Sequence, residues 1–271
     1  MIRSIFPKFL PHLDADTLCA RLAGCGLDGV NLVVRDGYWC RPGSLAEDVP
    51  RFAATARRHG LAVPIATACW EPTEVIADPA RLRLLADQGI TAFRTAYLPR
   101  GGDPRAAFAA ARGLYARLAE ICLAAGVRAI HQVHHGTLIA SASAAWRLVE
   151  GLPPTAIGIK LDPGNQMHEG WEDPGWAAAL LGPHLAAVGV KDVAWRRGDG
   201  CDGPRKGWTR DWAPCDEGCI DWHAVAAGLR AAGFAGPLVF MPFHTTGDTD
   251  AHLAAVAREV AWVRRAFASI P

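Results

Sequence analysis

A chain of 271 residues that is 51% hydrophobic and 20% charged has room for one large domain or two small ones and enough apolar material for a sizeable core. Its formal net charge of +1 speaks against nucleic acid or an anionic membrane surface as partner and leaves a small molecule as the expected ligand. No window approaches the roughly 20 apolar residues of a membrane span, and "MIRSIFPKFLPHLDADT" is broken by Lys8 and two prolines before a secretory stretch could form, so a cytoplasmic protein is expected.

In chain order, apolar β-rich runs alternate with Ala-, Leu- and Arg-rich stretches of helical period. The strand "SIFPKF" (4–9) precedes a helix over 14–24 that Asp14 can cap, "GVNLVV" (29–34) a helix over 45–59, and "AVPIAT" (62–67) a helix over 76–88. "AFRTAY" (92–97) leads into a helix over 104–125 that Gly126 stops, and its three- and four-residue apolar spacing assigns Tyr115 and Phe108 to the core. "RAIHQV" (128–133), "IGIKLD" (157–162), "AAVGVKD" (186–192) and "PLVFM" (237–241) follow, with helices over 140–150, 174–181, 221–232 and 249–267. Eight such units without a linker predict one domain over 1–271, an α/β fold closed as a single (β/α)8 TIM barrel. The longest loop, 194–219 after strand seven, is expected to be a lid or binding loop.

The eight cysteines are scattered, which predicts free thiols in a reducing compartment. Cys215, Cys219 and His223, with Cys201 upstream, have soft ligand chemistry but no pair at the usual two-residue gap, so structural zinc is not expected there.

Chemistry in a barrel sits at the carboxyl ends of the strands. "IHQVHHGT" (130–137) places three histidines at one such end, yet side chains alternate along a strand, so Gln132 and His134 point inward while His131 and His135 face the helices. The same parity turns Asn31, Arg94, Lys160, Asp162 and Lys191 inward, where Lys160 or Lys191 would pair with Asp162 because a lone interior charge is costly.

"GLDGVNLVVRDG", "QVHHGTL" with "SASAAWRL", "IKLDPGNQMHEG", "VGVKDV", "DEGCIDW" and "GPLVFMPFH" together resemble the xylose-isomerase-like TIM barrels, the superfamily of sugar-phosphate isomerases and epimerases that includes endonuclease IV. The resemblance implies one divalent metal held by a glutamate ending strand five, an aspartate ending strand six, a histidine on strand seven and a glutamate ending strand eight. Those positions read Gln132, Asp162, Gly189 and Met241, so only Asp162 is retained as a metal ligand, and a neutral amide and a thioether supply neither the charge nor the affinity a hard cation needs. Gln132 also cannot take a proton from carbon, as the corresponding glutamate would.

The expected function is therefore sugar or sugar-phosphate isomerase or epimerase-like chemistry on a small carbohydrate or keto or hydroxy acid. The site would be metal-free, or rebuilt around Asp162, His134 and His244. A barrel that binds a sugar-like ligand or partner without turnover is the alternative, and a Schiff-base lyase using Lys160 or Lys191 is a third. Lys191, Asp162, Lys160 and His134 are the candidate catalytic groups; Asn31, Arg94, Gln132, Asn165, Asp192, Glu217, His244, Trp39 and Trp70 are candidates for binding substrate. Lysine matters because 24 of the 28 basic residues are arginine, while Lys8, Lys160 and Lys191 lie in or near strands. Trp39, Trp70, Trp171, Trp195, Trp208 and Trp212 all follow strands and suit the apolar face of a sugar, with loop anchoring or a homo-oligomer interface as their other use. Arg35, Arg41, Arg94 and Arg100 could supply charge to a phosphate.

Overall fold

The computed structural model describes residues 1–170, 172–198 and 207–268. Its main sheet is parallel throughout: β1 (Arg3–Ile5), β2 (Gly29–Val30), β3 (Leu32–Val33), β4 (Ala66–Trp70), β5 (Ala92–Thr95), β6 (Arg128–Gln132), β7 (Ile157–Leu161), β8 (Leu185–Val190) and β11 (Leu238–Phe240). They pair in the order β2-β1-β11-β8-β7-β6-β5-β4-β3. Only Asn31 separates β2 from β3, so the two ends of that order are one piece of chain and the sheet comes round on itself. Asn31 N donates to Ile5 O (2.8 Å) on one side and Leu32 N to Ile65 O (3.1 Å) on the other. These nine segments thus make the eight-strand barrel that the alternating pattern predicts.

Two apolar layers hold it. Ile65, Ala92, Ile130, Ala187, Val239 and Met241 fill the interior, and a larger cluster including Phe52, Tyr115, Leu148 and Trp222 lies between sheet and helices. The helices, α1 (Ala15–Gly24), α2 (Leu45–Arg58), α3 (Pro72–Ala77), α4 (Ala80–Ala86), α5 (Pro104–Ala125), α6 (Ala142–Val149), α7 (Pro163–Gln166), α8 (Pro174–Leu181), α9 (Trp222–Ala231) and α10 (Thr249–Ala268), follow the strands. Asp14 caps α1 by accepting from Thr17 N (2.9 Å) and Asp16 N (3.0 Å), and Gly126 ends α5 at φ 65°.

Three boundaries differ from the sequence expectation. The third barrel strand lies at 66–70 rather than 62–67, because Pro64 has no N–H to pair and only an isolated bridge links Gly29 to Ala62. The helix expected over 76–88 is two helices, since Pro79 forces Asp78 out of the helical region (φ −135°, ψ 80°). Within the loop expected over 194–219 the described residues include an antiparallel pair, β9 (Asp192–Arg197) with β10 (Trp208–Ala213). The strands go from buried at the barrel to exposed at the far end, so their residues lack the alternation that marks a half-buried strand. Among the described residues, no helix is long and apolar enough to cross a membrane.

Candidate functional site

Strand parity brings Asn31, Arg94, Gln132, Lys160, Asp162 and Lys191 into the interior above the apolar floor, each at most 5% exposed. Asp162 is the centre. Its Oδ2 accepts from Gln132 Nε2 (2.6 Å) and Asn165 Nδ2 (2.9 Å) and lies 3.4 Å from Lys191 Nζ, while Oδ1 accepts from Asn165 N (2.9 Å). Pro163 at the first position of α7 fixes the turn that brings Asn165 back over Asp162. Asn165 in turn accepts from Lys191 Nζ (2.8 Å) and donates to Val133 O (2.9 Å), so both lobes of its amide are committed.

Lys160 sits one layer deeper, its Nζ 3.4 Å from the Met241 sulfur. Burial depresses its ammonium to about 7; Asp162 opposes that fall, and Arg94 and Lys191 add to it. Lys191 is also pushed down by burial and held up mainly by Asp162. Asn31 Oδ1 is buried without a hydrogen-bond partner among the described residues.

Aromatic rings roof this network in a continuous arc. Phe6 meets Phe243 (6.4 Å), Phe243 meets Trp212 (6.3 Å), and Trp212 meets His168 (4.6 Å). His168 stacks on His135 (4.1 Å), His135 on His134 (4.4 Å), and His134 lies against Tyr97 (4.3 Å). Burial keeps these imidazoles neutral, His134 near about 4 and His168 near about 3. Lys191 Nζ lies 4.2 Å from the centre of the Trp212 ring, which β10 carries into place. Sequence reasoning reaches only part of the roof: His134 is flagged by strand parity and Trp212 as one of several tryptophans after strand ends, while Tyr97, His168, Phe6 and Phe243 carry no signal.

Other expected site residues fall elsewhere. His131 faces the helices as parity requires, bonded to Tyr115 Oη (2.6 Å) and Thr95 Oγ1 (3.2 Å). His135 does not: β6 stops at Gln132, alternation lapses, and its ring turns into the arc with Nδ1 3.0 Å from Asn165 Oδ1. Trp39 anchors a loop through Nε1 to Leu13 O (2.8 Å), and Trp70 packs on Phe93 (5.7 Å) in the core, so neither faces the network. Asp192 points away from the barrel interior and accepts from Trp222 Nε1 (2.9 Å), Val193 N (2.7 Å) and Ile220 N (3.2 Å); burial raises its pKa to about 6. Glu217 is a surface partner of Arg258 (2.6 Å). His244 leans on α10, 3.4 Å from Glu259 Oε1, so Asp162, His134 and His244 do not converge and the rebuilt metal site is not assembled. Trp195 Nε1 bonds Met167 O (3.1 Å) and Trp208 is surface-exposed. Trp171 and Cys201 lie outside the described residues.

The donor set does not fit the divalent metal that the sequence resemblance implies. Asp162 Oδ2 is occupied by two amide N–H donors and faced by an ammonium. A Cβ at Gly189 would come within 2.6 Å of the Met241 methyl and 3.0 Å of Asp162 Oδ2, so a side chain there requires Met241 to move aside. Among the described residues, no three His, Cys, Asp or Glu side chains are grouped to hold a metal ion.

A family model described as xylose isomerase-like TIM barrel matches residues 19–266. No curated protein matches the sequence. Among solved structures, D-psicose 3-epimerase with D-tagatose from Clostridium cellulolyticum H10 superposes with a TM-score of 0.78 at 15% identity, over 98% of this chain and 99% of that one. An L-ribulose 3-epimerase gives 0.72 at 16% identity, over 99% and 92%. A xylose isomerase-like TIM barrel protein from Mycobacterium smegmatis in complex with magnesium gives 0.71 at 15%, over 99% and 96%. At such identities the likeness is one of fold.

Proposed function

Because the chain belongs to the xylose isomerase-like TIM barrel family, we propose that its roofed mouth binds a small carbohydrate-like molecule and removes a proton from a carbon beside its carbonyl, returning one to the adjacent carbon as an isomerase does or to the same carbon as an epimerase does, with lysines in place of a divalent ion. The observation that carries this reading is the Lys191–Asp162–Gln132–Asn165 network with Lys160 beneath it. Removing a proton from carbon beside a carbonyl needs a base and a positive charge near the developing enolate oxygen. Lys160, depressed to about 7, is partly a neutral amine at physiological pH and can take that proton. Lys191, whose charge Asp162 favours, can face the oxygen. The rings of Trp212, Tyr97 and Phe243 suit the apolar face of a sugar. Likeness in fold to D-psicose and L-ribulose 3-epimerases is compatible with this chemistry.

The test is proton exchange. The protein is incubated in deuterated water with D-psicose, D-fructose, D-tagatose and L-ribulose, and deuterium at the carbons flanking the carbonyl is read by NMR. Incorporation that is lost in Lys160→Met and Lys191→Met is expected. Binding without incorporation would favour the second reading, a barrel that holds a sugar without turnover, which the amide at Gln132 and the absent side chain at Gly189 support. A mass adduct at Lys160 after borohydride treatment would instead mark Schiff-base chemistry.

A further inference from the structure

Three cations of the mouth take no part in the Asp162 network. Lys8 follows β1, Arg35 follows β3 and Arg94 lies on β5, and they converge. The Arg35 and Arg94 guanidiniums both reach the Cys69 thiol, Arg35 Nη2 at 3.8 Å and Arg94 Nη2 closer still. Lys8 is close enough to both arginines that, after burial, their charges are what depress its ammonium.

Among the described residues none of the three is in an ion pair, although nine other arginines are. Arg94 is the decisive case, because it is only 5% exposed. Its guanidinium lies over the Tyr97 ring (4.6 Å) and donates to Thr95 O (3.1 Å), which satisfies donors but leaves the charge uncompensated. A buried cation without a carboxylate is expensive, and a fold that keeps one beside two more like charges is built to receive an anion. Arg35 and Lys8 are exposed, so that anion can reach them from solvent.

We propose that Lys8, Arg35 and Arg94 form an anion-binding site at the rim of the barrel, which takes the phosphate or carboxylate substituent of the molecule whose carbon chain reaches Lys191. The second half of that statement rests on the carbohydrate reading above; the anion site itself does not. The two parts of the mouth share a wall, since Lys8 Nζ lies 4.1 Å and Lys191 Nζ 5.5 Å from the centre of the same Phe243 ring. Two guanidiniums can each offer paired N–H donors to the oxygens of one anion, and the lysine adds a third charge from the end of β1.

Calorimetric titration of the full chain with inorganic phosphate, D-fructose 6-phosphate, D-gluconate and D-fructose tests it, in the wild type and in the exposed-residue variants Arg35→Gln and Lys8→Gln. At least one anionic probe is expected to bind at least tenfold more tightly than D-fructose and to weaken at least tenfold in each variant, with the phosphate and gluconate arms telling which anion fits. Phosphate binding that depends on Arg35 while no sugar binds would uphold the anion site and sink the carbohydrate reading. D-fructose binding equally in all three proteins, with the anions no tighter, would do the reverse. No binding by any anionic probe, or binding indifferent to both substitutions, would overturn the anion site.

Discussion

Breaking the Lys191–Asp162 pair is the most direct challenge to the architecture of the site. The charges are 3.4 Å apart, with 4% and 0% of their side chains exposed. At an effective dielectric of about 20 their attraction is about 5 kcal/mol, and removing one member of such a pair costs about 3–5 kcal/mol because the other is left buried and unpaired. Asp162→Asn should therefore lower the unfolding free energy by that amount and the melting temperature by roughly 6–10 °C. The amide also turns an N–H toward Gln132 or Asn165, both of which already donate to the carboxylate. The loss should shrink at high pH: without Asp162 the folded pKa of Lys191 falls further below its ordinary 10.5, so the penalty is complete below that folded pKa and fades as pH rises through it. Urea unfolding at pH 6 and pH 9.5 of Asp162→Asn, Lys191→Met and the double variant gives the coupling as a thermodynamic cycle. A coupling under about 1 kcal/mol at pH 6 would mean that the pair is solvated and that this account of the interior is wrong.

Lys160→Met should stabilise the protein. Burial drops the lysine from 10.5 to about 7, so the unfolded chain holds the proton more tightly between those values and wild-type stability rises with pH across them. The gain from the substitution, on the order of 3–5 kcal/mol, should be full below pH 7 and vanish toward pH 10.5; a pH-independent effect in urea melts would refute the shift. Glu259 has the opposite sign: burial raises its carboxyl from 4.5 to about 8, the folded state holds the proton more tightly, and stability falls from pH 4.5 to 8. Glu259→Gln should be neutral at pH 4 and stabilising by roughly 2–4 kcal/mol at pH 9, and no difference between the two would refute its burial against Cys215. At Gly218 a Cβ would fall 2.0 Å from Asp192 Cγ, so Gly218→Ala must pull Asp192 off Trp222. A loss of about 3 kcal/mol with a shift in tryptophan fluorescence is expected, and wild-type stability would contradict the close approach.

The interior of the barrel was legible because parity is a local property. Gln132 and Lys160 sit on strands, Asp162 and Lys191 come one residue after theirs, and knowing one inward position on a strand fixes the others. The same rule, followed strictly, also turns Asp192 outward once Lys191 points in, and the structure has it bonded to Trp222; reading it as a substrate contact gave more weight to family resemblance than to geometry. Where strands stop, the rule stops. His135 and His168 join one ring stack from loops after different strands, and Trp212 arrives on a hairpin whose exposed residues carry no periodic signal. In the sequence Trp39, Trp70 and Trp212 all come after expected strands, and nothing in their spacing reveals that Trp39 donates to Leu13 O while Trp70 packs on Phe93.

The replacements at the strand ends make sense together rather than one by one. The implied ligand set of two glutamates, an aspartate and a histidine would carry three negative charges, which only a bound cation makes tolerable in a barrel interior. Here a single carboxylate remains, and one ammonium at 3.4 Å balances it. A second carboxylate at Gln132 would leave Asp162 without a 2.6 Å donor and place two like charges side by side. Met241 contributes only a weak acceptor to Lys160, which leaves that amine's protonation to be set by burial and puts it near about 7. The replaced carboxylates and the titratable lysine are in this sense one electrostatic arrangement: Asp162 and Lys191 neutralise each other, and the group that can exchange a proton near physiological pH is an amine.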